Sequence, residues 1–166
     1  MRLTGGKGTW GNQLTYATPN GGSEIVLQLS QNSVDLGDYL GESLALHNNI
    51  LVAGARGDYS IDGQYTYSGN AYLLAKTSDG WVYKRLIPNP TPSSTESFGV
   101  SADVYNGNII IGANYAQVNG SSKGEVNIYN YDSNTDNLSS PYTLVANDGS
   151  INDSYGTAVA STTIML

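Results

Sequence analysis

The chain has 166 residues and a formal net charge of −7, with only seven lysines and arginines and no cysteine. So few cations exclude the basic surface that nucleic acids and anionic membranes require, and the lack of cysteine excludes disulfides and zinc–thiolate sites. No stretch approaches the roughly 20 apolar residues of a membrane span, and residues 1–24 lack the apolar region of a secretory signal. We therefore expect neither a nucleic-acid partner nor membrane insertion.

The composition is typical of a β-protein. Glycine (20 residues) and tyrosine (13) are abundant and proline (5) is sparse, as in chains of many short strands joined by turns. No segment has a convincing helical pattern. The sequence predicts an all-β fold, and at this length a single domain is the default.

Residues 1–36 contain two predicted strands. The run GNQLTYAT begins at Gly11, and the run EIVLQL begins at Glu24. The similar run GNAYLLAK begins at Gly69. The interval from Gly11 to Gly69 equals the interval from Gly41 to Gly99. A repeat with such a fixed, long period marks an array of supersecondary units. Residues 1–36 are therefore predicted to be the second half of a unit.

Residues 37–94 are predicted to be a whole unit. Four short segments with strand patterns follow one another: YLGESLAL, NILVAGA, GNAYLLAK and WVYKRLI. They are predicted to form one small antiparallel sheet. The first two are separated by a turn that contains Asn48-Asn49 in this copy and Asn106-Gly107 in the next, and such residues predict a tight hairpin because they accept positive φ.

Residues 95–152 repeat the same segments in the same order, and residues 153–166 repeat their first half. The motif glycines Gly41, Gly99 and Gly156 follow one another at an almost constant interval. The apolar run ILVAGA recurs as IIIGA, and GNAYLLAK recurs as GEVNIYNY. The chain is therefore predicted to hold two whole units flanked by two half units.

This pattern resembles the FG-GAP repeats of integrin α-subunit β-propellers and of many bacterial and phage surface proteins. The name-giving pieces are Phe98-Gly99 with Gly112-Ala113, Leu40-Gly41 with Gly54-Ala55, and Tyr155-Gly156. The resemblance implies blades of four antiparallel strands that are arranged radially as a β-propeller. Family members often bind calcium in an acidic turn between the first two strands, where this chain has too few carboxylates. We therefore expect no metal and no cofactor.

The link between the second and third strands is long and polar, and such loops on a repeated scaffold usually carry the binding residues. In the first whole unit it begins with Arg56-Gly57-Asp58, the tripeptide that integrins recognise in their ligands. Its two charged residues are candidate binding residues, and an ordinary loop is the alternative. Tyr59, Tyr65 and Tyr67 in the same link are candidates for a ligand surface that stacks on sugars.

Two weaker patterns suggest chemistry. Asp132, Asn134 and Asp136 have the alternating spacing of a calcium loop but lack its central glycine and closing glutamate, so a polar turn is the alternative. Ser43 lies in a segment that half resembles a nucleophile elbow, but the only histidine, His47, lies in a predicted turn. With one histidine, no cysteine and no paired carboxylates, we expect no enzyme.

Two whole blades and two half blades amount to three, whereas closed propellers typically have four to eight. Two alternatives stay open. In one, the halves at the termini of different subunits complete a shared blade, so that two copies make six blades. In the other, the sequence is part of a longer propeller or of a subunit whose edges are covered by other partners in an assembly such as a virion.

The expected function follows from this resemblance. We expect a non-catalytic protein–protein interaction or structural module on a cell or virus surface. Its partner is another protein or a further copy, which it binds through open blade edges. The alternative is a carbohydrate-binding module that uses the loop aromatics. The resemblance implies an extracellular, cell-surface or virion location.

Overall fold

The computed structural model describes residues 13–16, 25–28, 37–78 and 80–162. Within these ranges the chain forms antiparallel β-sheets and no helix, so the predicted all-β class is confirmed. The described ranges accordingly contain no helix that could cross a membrane. The rest of the predicted N-terminal half unit, and residues 163–166 of the last one, lie outside the described residues.

The N-terminal part described is a hairpin of two short strands, β1 (Gln13–Tyr16) and β2 (Ile25–Gln28). Their antiparallel register pairs Leu14 with Leu27 and Tyr16 with Ile25. These are the two strands that the sequence predicts for this half unit.

The first sheet contains four antiparallel strands in chain order. They are β3 (Leu44–His47), β4 (Ile50–Ala55), β5 (Asn70–Thr77) and β6 (Gly80–Pro88). All four predicted strands are present, but the first is shorter than the predicted run YLGESLAL, because residues 39–43 form a turn in which Tyr39 and Gly41 have positive φ angles. A two-residue turn joins β3 to β4, and its first residue, Asn48, has a φ of 52°. Cα atoms of β2 lie within 8 Å of Cα atoms of β6, so the β1–β2 hairpin lies beside the outer strand of this sheet.

The second sheet repeats this order of strands. Its strands are β7 (Phe98–Tyr105), β8 (Asn108–Ala113), β11 (Glu125–Asp132), β12 (Asn137–Leu138) and β13 (Tyr142–Leu144), while β9 (Gln117–Val118) and β10 (Ser121–Ser122) form a small ribbon within the β8–β11 link. The turn between β7 and β8 is Asn106-Gly107, with φ angles of 48° and 80°. Both central residues are left-handed, as in the two-residue turns that match the twist of a hairpin.

Two parts of the second half of the chain differ from the predicted pattern. The fourth strand of the second sheet is split into β12 and β13, both of which pair with β11. Pro141 lies at the break and has no N–H group to donate to the ladder. Residues 157–162 were expected to include a strand, but they form none, because no neighbouring strand pairs with them among the described residues.

Each sheet has two faces, which we define by their residues. On the first sheet, the back face carries Val52, Leu73 and Ile87, and the front face carries Leu51, Tyr72 and Leu74. On the second sheet, the front face carries Ile109, Ile111 and Tyr129, and the back face carries Ile110, Val126 and Ile128. The back face of the first sheet packs against the front face of the second, and the side chains named for this contact are at most 4% exposed. Each fully buried side chain of this size contributes about 1.5–3 kcal/mol, so this contact is the main source of stability.

Each repeat begins by packing its backbone directly onto the preceding sheet at a glycine. A Cβ atom on Gly54 of β4 would overlap the carbonyl oxygen of Gly99, at the start of the second sheet. A Cβ atom on Gly112 of β8 would likewise overlap the carbonyl oxygen of Gly156. Only glycine permits this approach at the two positions.

The hydrogen bonds at the two junctions are also equivalent. The Ser43 hydroxyl donates to the carbonyl oxygen of Gly99 at 2.8 Å, and the Ser101 hydroxyl donates to that of Gly156 at 2.7 Å. The interval from Ser43 to Ser101 equals the interval from Gly41 to Gly99. The period read from the sequence is therefore a structural repeat, in which the same atoms make the same contact twice.

Substitution of Gly54 by alanine is expected to lower the free energy of unfolding by about 3 kcal/mol, the upper range for overpacking, because a backbone carbonyl cannot rotate away. The measurement is urea unfolding followed by tryptophan fluorescence. Gly149→Ala is the control, because its nearest neighbours would lie at 3.2 Å and the loop is partly exposed. Equal losses for the two variants would contradict the junction.

Candidate functional site

The tripeptide Arg56-Gly57-Asp58 follows β4 directly, but its aspartate is not exposed. Asp58 is 3% exposed. Its Oδ2 accepts hydrogen bonds from Asn70 Nδ2 at 2.8 Å and from the Tyr72 hydroxyl at 3.0 Å, and its Oδ1 accepts one from the Tyr59 N–H at 2.9 Å. Asp58, a candidate binding residue, is therefore buried inside the protein. Its carboxylate is turned inward, where it accepts hydrogen bonds from buried donors.

Arg56 is also held by the protein itself. Its Nε donates to Glu42 Oε2 at 2.6 Å, and its guanidinium carbon lies 4.3 Å from the centre of the Tyr39 ring. The side chain remains 31% exposed. The two charged groups of the tripeptide consequently point to different places, and only the arginine reaches the surface.

The hydroxyl of Tyr72 is fixed as a donor in this network. Burial raises the pKa of Tyr72 well above its usual value, and the nearby carboxylate of Asp58 raises it further. Tyr72 is 2% exposed and lies on the front face of the first sheet. The network of Asp58, Asn70 and Tyr72 therefore ties the β4–β5 link to β5.

The three candidate tyrosines separate in the structure. Tyr59 and Tyr67 are 48% and 47% exposed, and Tyr65 is partly buried. Tyr65 is engaged within the loop, where its N–H donates to Ser60 Oγ at 3.0 Å. The Tyr67 carbonyl accepts from the Ser97 N–H at 3.0 Å, so its backbone belongs to the contact between the two repeats.

Of these three tyrosines, Tyr59 lines a groove. The groove has a volume of about 450 Å³. It lies between the β4–β5 link, which contributes Tyr59 and Ile61, and residues 83–86 of β6, with Asn70 and Tyr72 also lining it. The Oδ1 atom of Asn70 is buried and has no hydrogen-bond partner. Among the candidate aromatic residues, only Tyr59 therefore lies beside polar groups in this groove.

The acidic segment after β11 is a polar turn. Asp132 accepts from the Asn134 N–H at 2.9 Å and from the Thr135 hydroxyl at 2.8 Å. Asp136 instead accepts from the Tyr131 hydroxyl at 2.8 Å, and Lys84 of the first sheet lies 3.3 Å from it. The two carboxylates therefore serve different partners. The parts of the chain that the structure describes contain no cluster of three or more His, Asp or Glu side chains suited to a metal ion.

The contacts of Asp136 also shift two pKa values, its own and that of Tyr131. The hydrogen bond from Tyr131 lowers the pKa of Asp136, and the neighbouring Lys84 lowers it further. Burial, together with the hydrogen bond to Asp136, raises the pKa of Tyr131 to about 12. The turn thus connects the outer strands of the two sheets through a charged and hydrogen-bonded contact.

Two glutamates that the sequence did not single out are buried in the structure. Glu96 is 1% exposed and accepts from Asn89 Nδ2 at 2.6 Å, from the Ser93 N–H at 2.8 Å and from the Gln117 N–H at 3.2 Å. Glu125 is 5% exposed. Burial raises the pKa of Glu125, and the negative charge of Glu96 raises it further, against the lowering effect of its hydrogen bond from Asn127 Nδ2.

A repeated sequence signal marks one of these positions. An acidic residue stands three residues before the motif glycine in all three copies, as Asp38, Glu96 and Asp153. The first two are buried and the third is exposed. Comparison of the copies with one another would therefore have singled out Glu96.

The serine and histidine considered for catalysis have separate structural contacts. The Ser43 hydroxyl is used at the junction, where it donates to the Gly99 carbonyl. His47 Nε2 lies 3.1 Å from Asn106 Oδ1, and its ring centre lies 4.5 Å from that of Tyr105. The prediction that His47 lies in the hairpin turn is wrong, since it is the last residue of β3, from which its ring contacts the equivalent turn of the second sheet.

Comparison of the sequence with protein-family models found no match. A search among curated proteins also found no significant match.

Replacement of Asp58 by alanine is expected to lower the free energy of unfolding by about 3 kcal/mol, because it removes the acceptor of the buried Tyr72 hydroxyl and of one N–H of the Asn70 amide. Chemical denaturation measures the loss. Asp148→Ala is the matched control, since Asp148 is exposed and a surface change costs at most about 0.5 kcal/mol. A loss at Asp58 as small as that at Asp148 would mean that its carboxylate is not structural.

Replacement of Glu125 by glutamine is expected to favour the folded state more at pH 7.5 than at pH 4. The folded-state pKa of Glu125 lies above the reference of 4.5, so ionisation destabilises the fold progressively as the pH rises from about 4.5 through the folded-state pKa. Glutamine cannot ionise and escapes this loss. Urea unfolding of both proteins at the two pH values tests the sign, and an equal difference at both would contradict it.

Proposed function

We propose that this chain is a segment of an FG-GAP-like β-propeller that acts as a non-catalytic protein–protein interaction or structural module on a cell or virus surface. The observation that carries the proposal is the repeated junction, in which Gly99 packs on Gly54 and Gly156 packs on Gly112. Units that are each placed on the next in the same way form a ring or an open helix. A ring of four-stranded sheets is a propeller.

The junction also gives a physical reason for both halves of the motif. The Phe98-Gly99 pair of one repeat lies against the strand that ends in Gly54-Ala55 of the repeat before it. Phe98 is fully buried, and its N–H donates to the Ser68 carbonyl at 3.0 Å. The residues that carry the resemblance are therefore those that hold consecutive sheets together, which supports the family assignment that we propose.

The contacts of the polar groups favour a non-catalytic role. Ser43 and His47 are occupied by contacts between repeats, and the buried carboxylates of Asp58 and Glu96 accept several hydrogen bonds each from the protein. Catalytic acids and bases, by contrast, face a cleft in which a substrate can reach them. A binding role uses the exposed links instead, where Ile61 is 71% exposed and Tyr59 is 48% exposed.

An engineered cysteine pair tests the arrangement of the units. Both the N–H and the hydroxyl of Ser161 donate to Asp103 Oδ2, at 2.5 and 2.6 Å. Asp103 lies four residues after Gly99 and Ser161 lies five residues after Gly156, so the two residues belong to neighbouring positions of consecutive units. Because the chain has no cysteine of its own, a disulfide in Asp103→Cys/Ser161→Cys reports on this contact alone.

We expect the Asp103→Cys/Ser161→Cys chain to form an internal disulfide on mild oxidation, detected by mass spectrometry after alkylation. Asp148→Cys/Ser161→Cys is the control and is expected to remain reduced. Failure of the first pair to cross-link, in a chain that still unfolds cooperatively, would refute the packing of successive units and with it the propeller.

A carbohydrate-binding function is the second candidate, and the groove beside Tyr59 favours it. The groove combines an exposed aromatic ring with the buried polar side chains of Asp58 and Asn70. Sugar-binding sites combine the same elements, since an apolar ring face packs on an aromatic side chain while hydroxyl groups bond to polar side chains.

Glycan-array binding distinguishes the second candidate from the first. If the chain is a lectin, Tyr59→Ala is expected to lower glycan binding at least tenfold, whereas Tyr115→Ala leaves it unchanged. Tyr115 is a suitable control because it is 44% exposed and does not line the groove. No glycan binding by the unmodified chain would leave the protein-interaction module as the proposed function.

A further inference from the structure

The back face of the second sheet is less covered than its counterpart on the first sheet. The register makes Ile110, Ile128 and Leu144 equivalent to Val52, Leu73 and Ile87. The three residues of the first sheet are all 0% exposed, because the second sheet covers them. Their three equivalents are only partly buried, and the neighbouring Tyr142 is 68% exposed. This apolar surface, formed by Ile110, Ile128, Tyr142 and Leu144, is hereafter the open face.

The start of a third repeat already occupies the inner margin of the open face. Gly156 packs on Gly112, and the Tyr155 N–H donates to the Lys123 carbonyl at 2.9 Å. The Phe98 N–H makes the equivalent bond to the Ser68 carbonyl, at 3.0 Å, where the second sheet begins. The open face is therefore continuous with the junction between consecutive repeats. We expect the outer strands of a repeat to cover the rest of the open face.

The β1–β2 hairpin has the sequence and register of such an outer part. A shift by one period, which takes Gly11 to Gly69, places Leu14 at Tyr72 and Tyr16 at Leu74. Tyr72 and Leu74 lie on the front face of the first sheet. The partners of Leu14 and Tyr16 across the hairpin are Leu27 and Ile25. The register thus places four apolar residues on one side of the strand pair, while Val26 pairs with Thr15 on the other side.

Front faces pack on back faces in this protein, as the two sheets show. Given the propeller arrangement of the proposed function, on which this inference rests, the hairpin of one molecule fits the open face of another. Its own molecule places the hairpin beside β6 of the first sheet. The same hairpin can therefore pack on its own first sheet and on the open face of a neighbour at once.

We propose that two copies of this chain associate head to tail, with the β1–β2 hairpin of each copy covering the open face of the other. Each copy then supplies the start of a shared unit through residues 155–162 and receives the outer strands of that unit from its partner. In a pair related by a two-fold axis this contact occurs twice, and the two contacts close a ring. The ring holds six units, within the range of closed propellers.

Light scattering of the purified full chain tests the association. We expect a mass of about 35 kDa, twice the 17.6 kDa of one chain. Ile128→Lys places a charge on the open face and is expected to halve the mass, with the melting transition retained. Ile61→Lys is the matched control, because Ile61 is 71% exposed in the β4–β5 link, and it is expected to remain dimeric.

Complementation identifies the occupant of the open face. Leu14→Lys in the hairpin is expected to give a monomer, as Ile128→Lys does. In an equimolar mixture, the Leu14→Lys chain has an unaltered open face and the Ile128→Lys chain has an unaltered hairpin. These two surfaces can make one of the two contacts, so dimers are expected to return. A Leu14→Lys variant that dimerises like the unmodified chain, or a mixture that stays monomeric, would overturn the proposal.

The two experiments distinguish failure of the proposed association from failure of the proposed function. If the Asp103–Ser161 cysteine pair cross-links but the unmodified chain is monomeric at every concentration, the propeller units stand and the shared unit is refuted. If both experiments fail, the packing of consecutive units is itself wrong.

Discussion

Direct backbone contact at Gly54 and Gly112 is the constraint on which the rest of the structure depends. A side chain at either glycine would overlap the carbonyl oxygen that starts the next repeat. The close approach lets a serine hydroxyl reach that oxygen, at 2.8 Å in one junction and 2.7 Å in the other. It also sets the position of each sheet on the one before. The apolar contact between the two sheets is buried because this position is fixed at their inner edge.

The polar residues within the repeats hold the links in place, and this use explains why the aspartate of the Arg56-Gly57-Asp58 tripeptide is buried. Asp58 binds donors on its own link and on β5, and Glu96 binds a donor in each of the segments before and after it. A buried carboxylate is costly unless several donors reach it. Both residues meet that condition, because each accepts hydrogen bonds from several donors within the protein.

The two whole units make equivalent junction contacts, but they differ in the structure of their links and in the exposure of their back faces. The link of the first unit carries the exposed Tyr59 and Ile61 beside a groove, whereas the link of the second folds into the β9–β10 ribbon. The back face of the first sheet is fully buried, and that of the second is partly exposed. Binding to sugars would use the first difference, and association between copies would use the second.

Strand alternation and left-handed turn residues are local properties, so the all-β class, the order of strands and the two hairpin turns could be predicted from the sequence. It also determined the period, since the motif glycines recur wherever a repeat meets the next. It could not show that Asp58 lies inside or that Glu96 and Glu125 are buried near one another, because those placements depend on donors from distant strands. The break at Pro141 and the groove beside Tyr59 likewise arise only from pairing and packing. Tertiary structure alone decided them, because burial is a property of the whole arrangement of sheets and not of any one segment.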